Sequence, residues 1–138
     1  MPVTRIAHVC LNVQDLDRSI QWYKKLGFKE VFHFTRKGQP FGVYLQIASD
    51  SYIELFENPD MGQPINTGIV HFCLETESLE TLMAEYDEAG IAYTPKKLGC
   101  DQTWQIWLKD PDGNAFEIHQ YTLNSAQKKG GMTVEADW

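Results

Sequence analysis

Residues 8–11 read HVCL and residues 71–74 read HFCL, and the second histidine follows the first by 63 positions. Laid over itself at that offset without gaps, the chain pairs Thr4 with Thr67, Cys10 with Cys73, Leu11 with Leu74, Leu16 with Leu79, Tyr23 with Tyr86, Gly27 with Gly90, Gln39 with Gln102 and Glu54 with Glu117. With the histidines, Ile6 on Ile69 and Leu45 on Leu108, eleven identities fall in the 54 positions from 4 to 57, against about three from average composition. Conservative pairs such as Ile20 with Met83, Val43 with Ile106 and Leu55 with Ile118 run the same way. A period this long, used twice, points to a duplicated supersecondary unit, because a solenoid needs at least about three repeats to bury its faces.

Each copy has a readable plan. Residues 5 to 13 alternate, with Ile6, His8, Cys10 and Asn12 on one face and the more apolar Ala7, Val9, Leu11 and Val13 on the other, so the second face should pack on a helix. That helix follows at once: Asp15 is its cap, Leu16, Ile20, Tyr23 and Leu26 recur at helical spacing, and Gly27 ends it in the left-handed conformation. The second copy repeats this with a strand over 69–74, Ser78 as cap, an apolar stripe of Leu79, Leu82, Met83, Tyr86 and Ala89, and Gly90 as terminator. Three extended stretches then follow each glycine, at 28–35, 42–48 and 51–57 and again at 91–94, 104–109 and 115–121. Asp112-Gly113 supplies the hairpin turn before the last of them. The order is βαβββ, twice. We expect one domain over 1–138, with module one at about 4–58, module two at about 67–122 and a tail at about 123–138. The tail has no periodicity and is either disordered or a terminal arm docked by Val134 and Trp138.

A chain of 138 residues with 43% hydrophobic content suffices for one ordinary core, so the two modules should share a core or a partner. A net charge of −7 with scattered lysines and arginines gives no basic stripe for phosphates, which argues against nucleic acid. No apolar run approaches the roughly 20 residues of a membrane helix. The opening MPVTRIAHVC lacks signal-peptide regions, and the three cysteines form no CxxC, as expected for free thiols in the cytoplasm.

The histidine and the duplicated glutamate are 46 positions apart in both modules, and both glutamates lie within apolar runs that offer no neighbouring lysine or arginine. A carboxylate so placed costs several kcal/mol unless paired or bound to metal. If the modules face each other, His8, Glu54, His71 and Glu117 converge, and two imidazoles with two carboxylates suit Zn²⁺, Ni²⁺, Co²⁺ or Mn²⁺. Cys10 and Cys73 share the face of the histidines, where small buried packing residues are the plainer reading. His119 and Phe56 lie two residues beyond the glutamates, and Tyr44, Trp104 and Trp107 offer an aromatic wall.

The stretches HVCLNVQDLDRSIQWYKKLGF, YIELF and DPDGNAFEI resemble the vicinal oxygen chelate superfamily, to which glyoxalase I, extradiol dioxygenases and bleomycin resistance proteins belong. The resemblance covers roughly residues 4 to 122. It implies an α+β fold of two βαβββ modules forming a curved mixed sheet around a cavity, and a homodimer. It also implies one divalent ion held by His8, Glu54, His71 and Glu117. By the same resemblance the chain is a glyoxalase I-like lyase or isomerase of a small-molecule substrate. It would move a proton next to a metal-bound carbonyl through an enediolate, with Glu117 as base and Glu54 returning the proton. Thiol transfer, ring-cleaving oxygenation and non-catalytic drug binding are the alternatives. Glyoxalase I proper commonly carries an arginine four residues after its first ligand, where it helps hold the glutathione carboxylate, and an asparagine four after the first-module glutamate. Here those positions are Asn12 and Asn58, which with His119 are candidate substrate contacts.

Overall fold

The structure is a computed structural model that describes residues 6–62, 69 and 71–136. Thr4, Arg5, Thr67, Val70 and Trp138 of the sequence reading lie outside the described residues. By its contacts the chain divides into two compact units, one of residues 1–66 with 110–114, the other of residues 67–109 with 115–138.

Unit one holds β1 (His8–Val13), α1 (Leu16–Lys25), β2 (Lys29–Arg36), β3 (Gln39–Ala48) and β4 (Ser51–Glu57), with the sheet in the order β1-β4-β3-β2. β1 runs parallel to β4 and the other pairings are antiparallel. Leu11 and Val13 are buried while His8, Cys10 and Asn12 are exposed, as the alternation requires. Asp15 caps α1 by accepting from the Arg18 N–H, and Gly27 beyond its end has φ +91°. Leu16, Ile20 and Tyr23 bury their side chains with Val43, Leu45, Ile53 and Leu55.

Unit two repeats the plan with β5 (Phe72–Glu75), α2 (Leu79–Ala89), β6 (Lys97–Leu98), β7 (Trp104–Lys109) and β8 (Ala115–Gln120), ordered β5-β8-β7-β6. Again the first and last strands pair parallel. Ser78 caps α2 by accepting from Thr81, and Gly90 closes it at φ +70°. The repeat extends to a device that identity counting passes over. The Leu16 N–H donates to Glu57 Oε2 at 2.8 Å, and the Leu79 N–H donates to Gln120 Oε1 at 2.7 Å. Glu57 and Gln120 are 63 positions apart and hold the same orphan helix donor from the last strand of their sheets.

Two expectations need correction. No strand forms over 91–94; the edge strand is the two-residue β6. Thr94 does reach β7, its N–H donating to the Trp107 carbonyl and its hydroxyl accepting from the Trp107 N–H, but Pro95 follows with no N–H to continue the ladder. The tail docks through polar groups, with Val134 still partly exposed. Ser125, fully buried, bonds Thr103 at 2.8 Å and accepts from the Thr122 N–H, and Gln127 Nε2 donates to Asp101 Oδ2 at 2.6 Å. A short helix α3 (Ala126–Lys129) follows from this network.

The turn Asp110–Asn114 joins β7 to β8 as expected, yet its partners lie in unit one. Asp110, 4% exposed, accepts from Tyr23 Oη at 3.0 Å and from the Asp112 N–H, the Asn114 N–H and Asn114 Nδ2 at 2.9 Å each. Burial, and then Asp110, hold the Tyr23 hydroxyl well above the usual tyrosine range. Arg18 adds a 2.9 Å ion pair with Asp112. The DPDGN signature is therefore an anchor on α1. Replacing Asp110 with alanine strands several buried donors at once, so Asp110→Ala is expected to cost about 3 kcal/mol, read by urea denaturation. A loss below about 1 kcal/mol would contradict this reading of the turn.

Candidate functional site

The two histidine–glutamate pairs form the same local geometry in both units. In unit one, His8 opens β1, Glu54 sits mid-strand in the adjacent β4, and His8 Nε2 lies 3.3 Å from Glu54 Oε1. In unit two, His71 stands just ahead of β5 rather than within a strand, Glu117 is central in β8, and His71 Nε2 lies 3.3 Å from Glu117 Oε1. Parallel pairing sets Cys10 opposite Glu54 and Cys73 opposite Glu117. The aromatic neighbours match as well. Tyr44 meets the His8 ring edge-on at 5.6 Å and Trp107, its counterpart 63 positions on, meets His71 edge-on at 4.7 Å.

The glutamate side chains are only 14% and 12% exposed, and the groups set within ion-pair distance of them are imidazoles. Around each carboxylate stand groups that can give up a proton or a lone pair to a cation, which is the donor chemistry of a borderline divalent ion. The cysteines are exposed residues, which corrects the reading of them as buried packing. Their thiols nevertheless face the carboxylates. Desolvation, and then Glu54, push Cys10 up to about 11; desolvation, and then Glu117, push Cys73 up to about 12. Both are therefore neutral thiols at pH 7 and poor nucleophiles as they stand.

The units differ at one decisive position. Where unit one has Phe56, stacked on Phe41 at 5.3 Å, unit two has His119. His119 is 8% exposed and its Nε2 lies 3.1 Å from Glu117 Oε2, so Glu117 faces an imidazole on each oxygen. The alternation already places His119 on the Glu117 face, as a candidate substrate contact. The candidate contacts Asn12 and Asn58 lie toward the end of β1 and just beyond β4. Asn12 is exposed on β1, four residues beyond His8, and its carbonyl accepts from Asn114 Nδ2 at 3.3 Å. Asn58 follows β4, gives its N–H to the Val13 carbonyl at 2.7 Å and leaves an exposed side chain.

Unit two also holds an open pocket of about 1050 Å³, lined among others by His71, Trp107, Glu117 and His119 and, from the tail, by Gln127 and Val134. That volume accommodates a small organic molecule. Among the described residues, no helix is long and apolar enough to cross a membrane.

A family model described as the glyoxalase/bleomycin resistance protein/dioxygenase superfamily matches residues 5–118. The chain belongs to this superfamily. Virulence protein STM3117 of Salmonella typhimurium is 31% identical over 128 residues, covering 88% of this chain and 87% of that protein. A trivalent organoarsenical cleaving enzyme of Bacillus sp. strain MD1 is 29% identical over 139 residues, covering 90% and 77%. Among solved structures, the glyoxalase family protein of Enterococcus faecalis superimposes with a TM-score of 0.77 at 24% identity, covering 87% of this chain and all of that one. The superfamily membership and this likeness bear out the α+β fold of paired four-stranded mixed sheets with helices. Enzymes are among the relatives of the chain.

Proposed function

We propose that the chain is a metal-dependent lyase or isomerase of the glyoxalase I-like kind, moving a proton next to the carbonyl of a small-molecule substrate. The observation that carries this is the duplicated histidine–glutamate pair, at 3.3 Å in each unit, with each glutamate on the last strand of its sheet and each histidine at or just ahead of the first. Binding modules need no such duplicated acid–base pair. On this reading each module gives two ligands, His8 with Glu54 and His71 with Glu117, to one Ni²⁺, Zn²⁺, Co²⁺ or Mn²⁺ ion, within one chain or between the chains of a homodimer. When bound, the ion supplies Lewis-acid stabilisation of the oxygen charge that develops as the proton leaves.

The protein's own groups handle the proton. Glu117 takes it, being the carboxylate at the pocket, and Glu54 returns it. His119, at 3.1 Å from Oε2, fixes the plane of the Glu117 carboxylate and offers a path by which its proton exchanges with water. Trp107 packs edge-on against His71 and orients that ring. Metal analysis of protein never exposed to chelator, followed by assays of hemithioacetals with each of the four ions, tests the proposal. A metal-free protein inactive with every ion would leave non-catalytic capture of a small molecule in the unit-two pocket, the reading that Trp107 and the pocket's size otherwise favour.

The substrate follows from Asn12. A neutral amide cannot make the bidentate pair that an arginine offers a carboxylate, worth roughly 1.5 to 3 kcal/mol per hydrogen bond, and a net charge of −7 repels an anionic tripeptide further. Turnover of the adduct of glutathione with methylglyoxal is therefore expected to be poor, with kcat/KM below about 10⁴ M⁻¹s⁻¹ under the best metal. Steady-state kinetics with that adduct check this, and a value in the efficient range of about 10⁴ to 10⁸ M⁻¹s⁻¹ contradicts it.

A further inference from the structure

Glu117 has a donor set of its own that the duplicated pairs do not use. Cys73 Sγ, a Glu117 oxygen and a His119 ring nitrogen all lie within 4.8 Å of one another. We propose that unit two holds a thiophilic divalent ion through Cys73, Glu117 and His119, in a site complete without His8 and Glu54. The proposal shares Glu117 with the four-residue reading and otherwise stands apart from it.

The geometry is close to what such an ion needs. Bond lengths of about 2.3 Å to sulfur and 2.0 to 2.2 Å to nitrogen and oxygen hold tetrahedral donors roughly 3.5 Å apart. Glu117 Oε2 and His119 Nε2 are already 3.1 Å apart, so the closing movement falls mainly on Cys73. Cys73 is exposed and turns about a single side-chain bond, which makes that movement cheap. His119 is the opposite case: 8% exposed, with its carbonyl accepting from the Thr76 N–H at 2.9 Å, it is a fixed ligand.

The carboxylate can serve both donor sets because its oxygens are divided, Oε1 toward His71 and Oε2 toward His119. A sulfur, an imidazole and one carboxylate favour Zn²⁺, Cd²⁺ or Co²⁺ over the oxygen-seeking Mg²⁺ and Ca²⁺. The set is peculiar to unit two. At the equivalent place unit one has Cys10 and Glu54 but Phe56, whose ring offers no lone pair, meets Phe34 edge-on and stacks on Phe41. Binding replaces the Cys73 thiol proton with the cation, and that proton leaves to solvent.

Cobalt titration of the full, metal-stripped chain tests the site, because a cysteine thiolate bound to Co²⁺ gives a sulfur-to-metal charge-transfer absorption in the near ultraviolet. The wild type is expected to show this band and to keep it in excess Mg²⁺. Cys73→Ser should abolish it, while Cys10→Ser and the pair His8→Ala with Glu54→Gln should leave it. His119→Gln should weaken Co²⁺ binding by at least the roughly 10- to 100-fold that loss of an outer-shell partner costs. Melting temperatures of the metal-free variants show whether each still folds, and the exposed Cys73→Ser carries the decision if His119→Gln does not. A wild type without the band, a band that survives Cys73→Ser, or one lost in the His8 and Glu54 variants overturns the proposal. The four-residue reading fails separately, when the His8 and Glu54 variants leave total bound metal unchanged.

Discussion

Glu117→Gln is expected to lower turnover of a true substrate by about 10²- to 10⁴-fold, the usual worth of a positioned general base. The substitution keeps an oxygen of nearly the same shape in β8 opposite Cys73, so the strand pairing and the core residues Phe116 and Ile118 beside it are undisturbed. It removes only the basic lone pair and the charge. The amide must also turn its NH₂ toward either His71 or His119, which now stand at 3.3 and 3.1 Å from carboxylate oxygens. Metal should be retained in part, since the amide oxygen is a weak ligand. Assays of the variant on a hemithioacetal turned over by the wild type decide the matter. Full activity would take the base role from Glu117 and leave Glu54 as the candidate.

His71→Ala is expected to lose the ion of the four-residue site and, in metal-containing buffer alone, to melt on the order of 10 °C lower. An ion bound only by the folded chain stabilises it by about 2.7 kcal/mol at a hundredfold excess over Kd, and a chain of this size shifts by a few degrees per kcal/mol. The metal-free variant gives the control. His71 has a 35% exposed side chain just outside β5, so truncation there forfeits little beyond its edge contact with Trp107 and its 3.3 Å pairing with Glu117. An equal fall in Tm with and without metal would mean that His71 acts through packing. Calorimetry in the two buffers separates the cases.

Much of this architecture was legible because the repeat samples each feature twice. Asp15 and Ser78, or Gly27 and Gly90, are weak signals singly and strong ones at the same offset, and both pairs cap their helices as read. The histidine–glutamate pairs were legible for the same reason. What escaped had no periodic signature. The tail is held by Ser125, Thr103, Gln127 and Asp101, whose hydrogen bonds depend on where loops meet and leave no trace in hydropathy. Asp110 looked like part of a turn, and its service to Tyr23, 87 positions away, is a tertiary fact. The stretch 91–94 read as a strand from Ile91 and Tyr93, but Pro95 ends the pairing that Thr94 begins, and Ile91 is spent in the core. Cys10 and Cys73 were read from the burial habits of cysteine, whereas the strand alternation that exposes His8 exposes Cys10 with it.

The claim on which the functional reading rests is that the two duplicated pairs serve one ion. Elemental analysis of chain purified without chelator, in the wild type and in His8→Ala and His71→Ala side by side, measures this most directly. Loss of a ligand from either module should empty the same site, so each variant is expected to lose one equivalent of Ni²⁺, Zn²⁺, Co²⁺ or Mn²⁺ relative to the wild type. Metal content unchanged in His8→Ala and in His71→Ala would contradict the account.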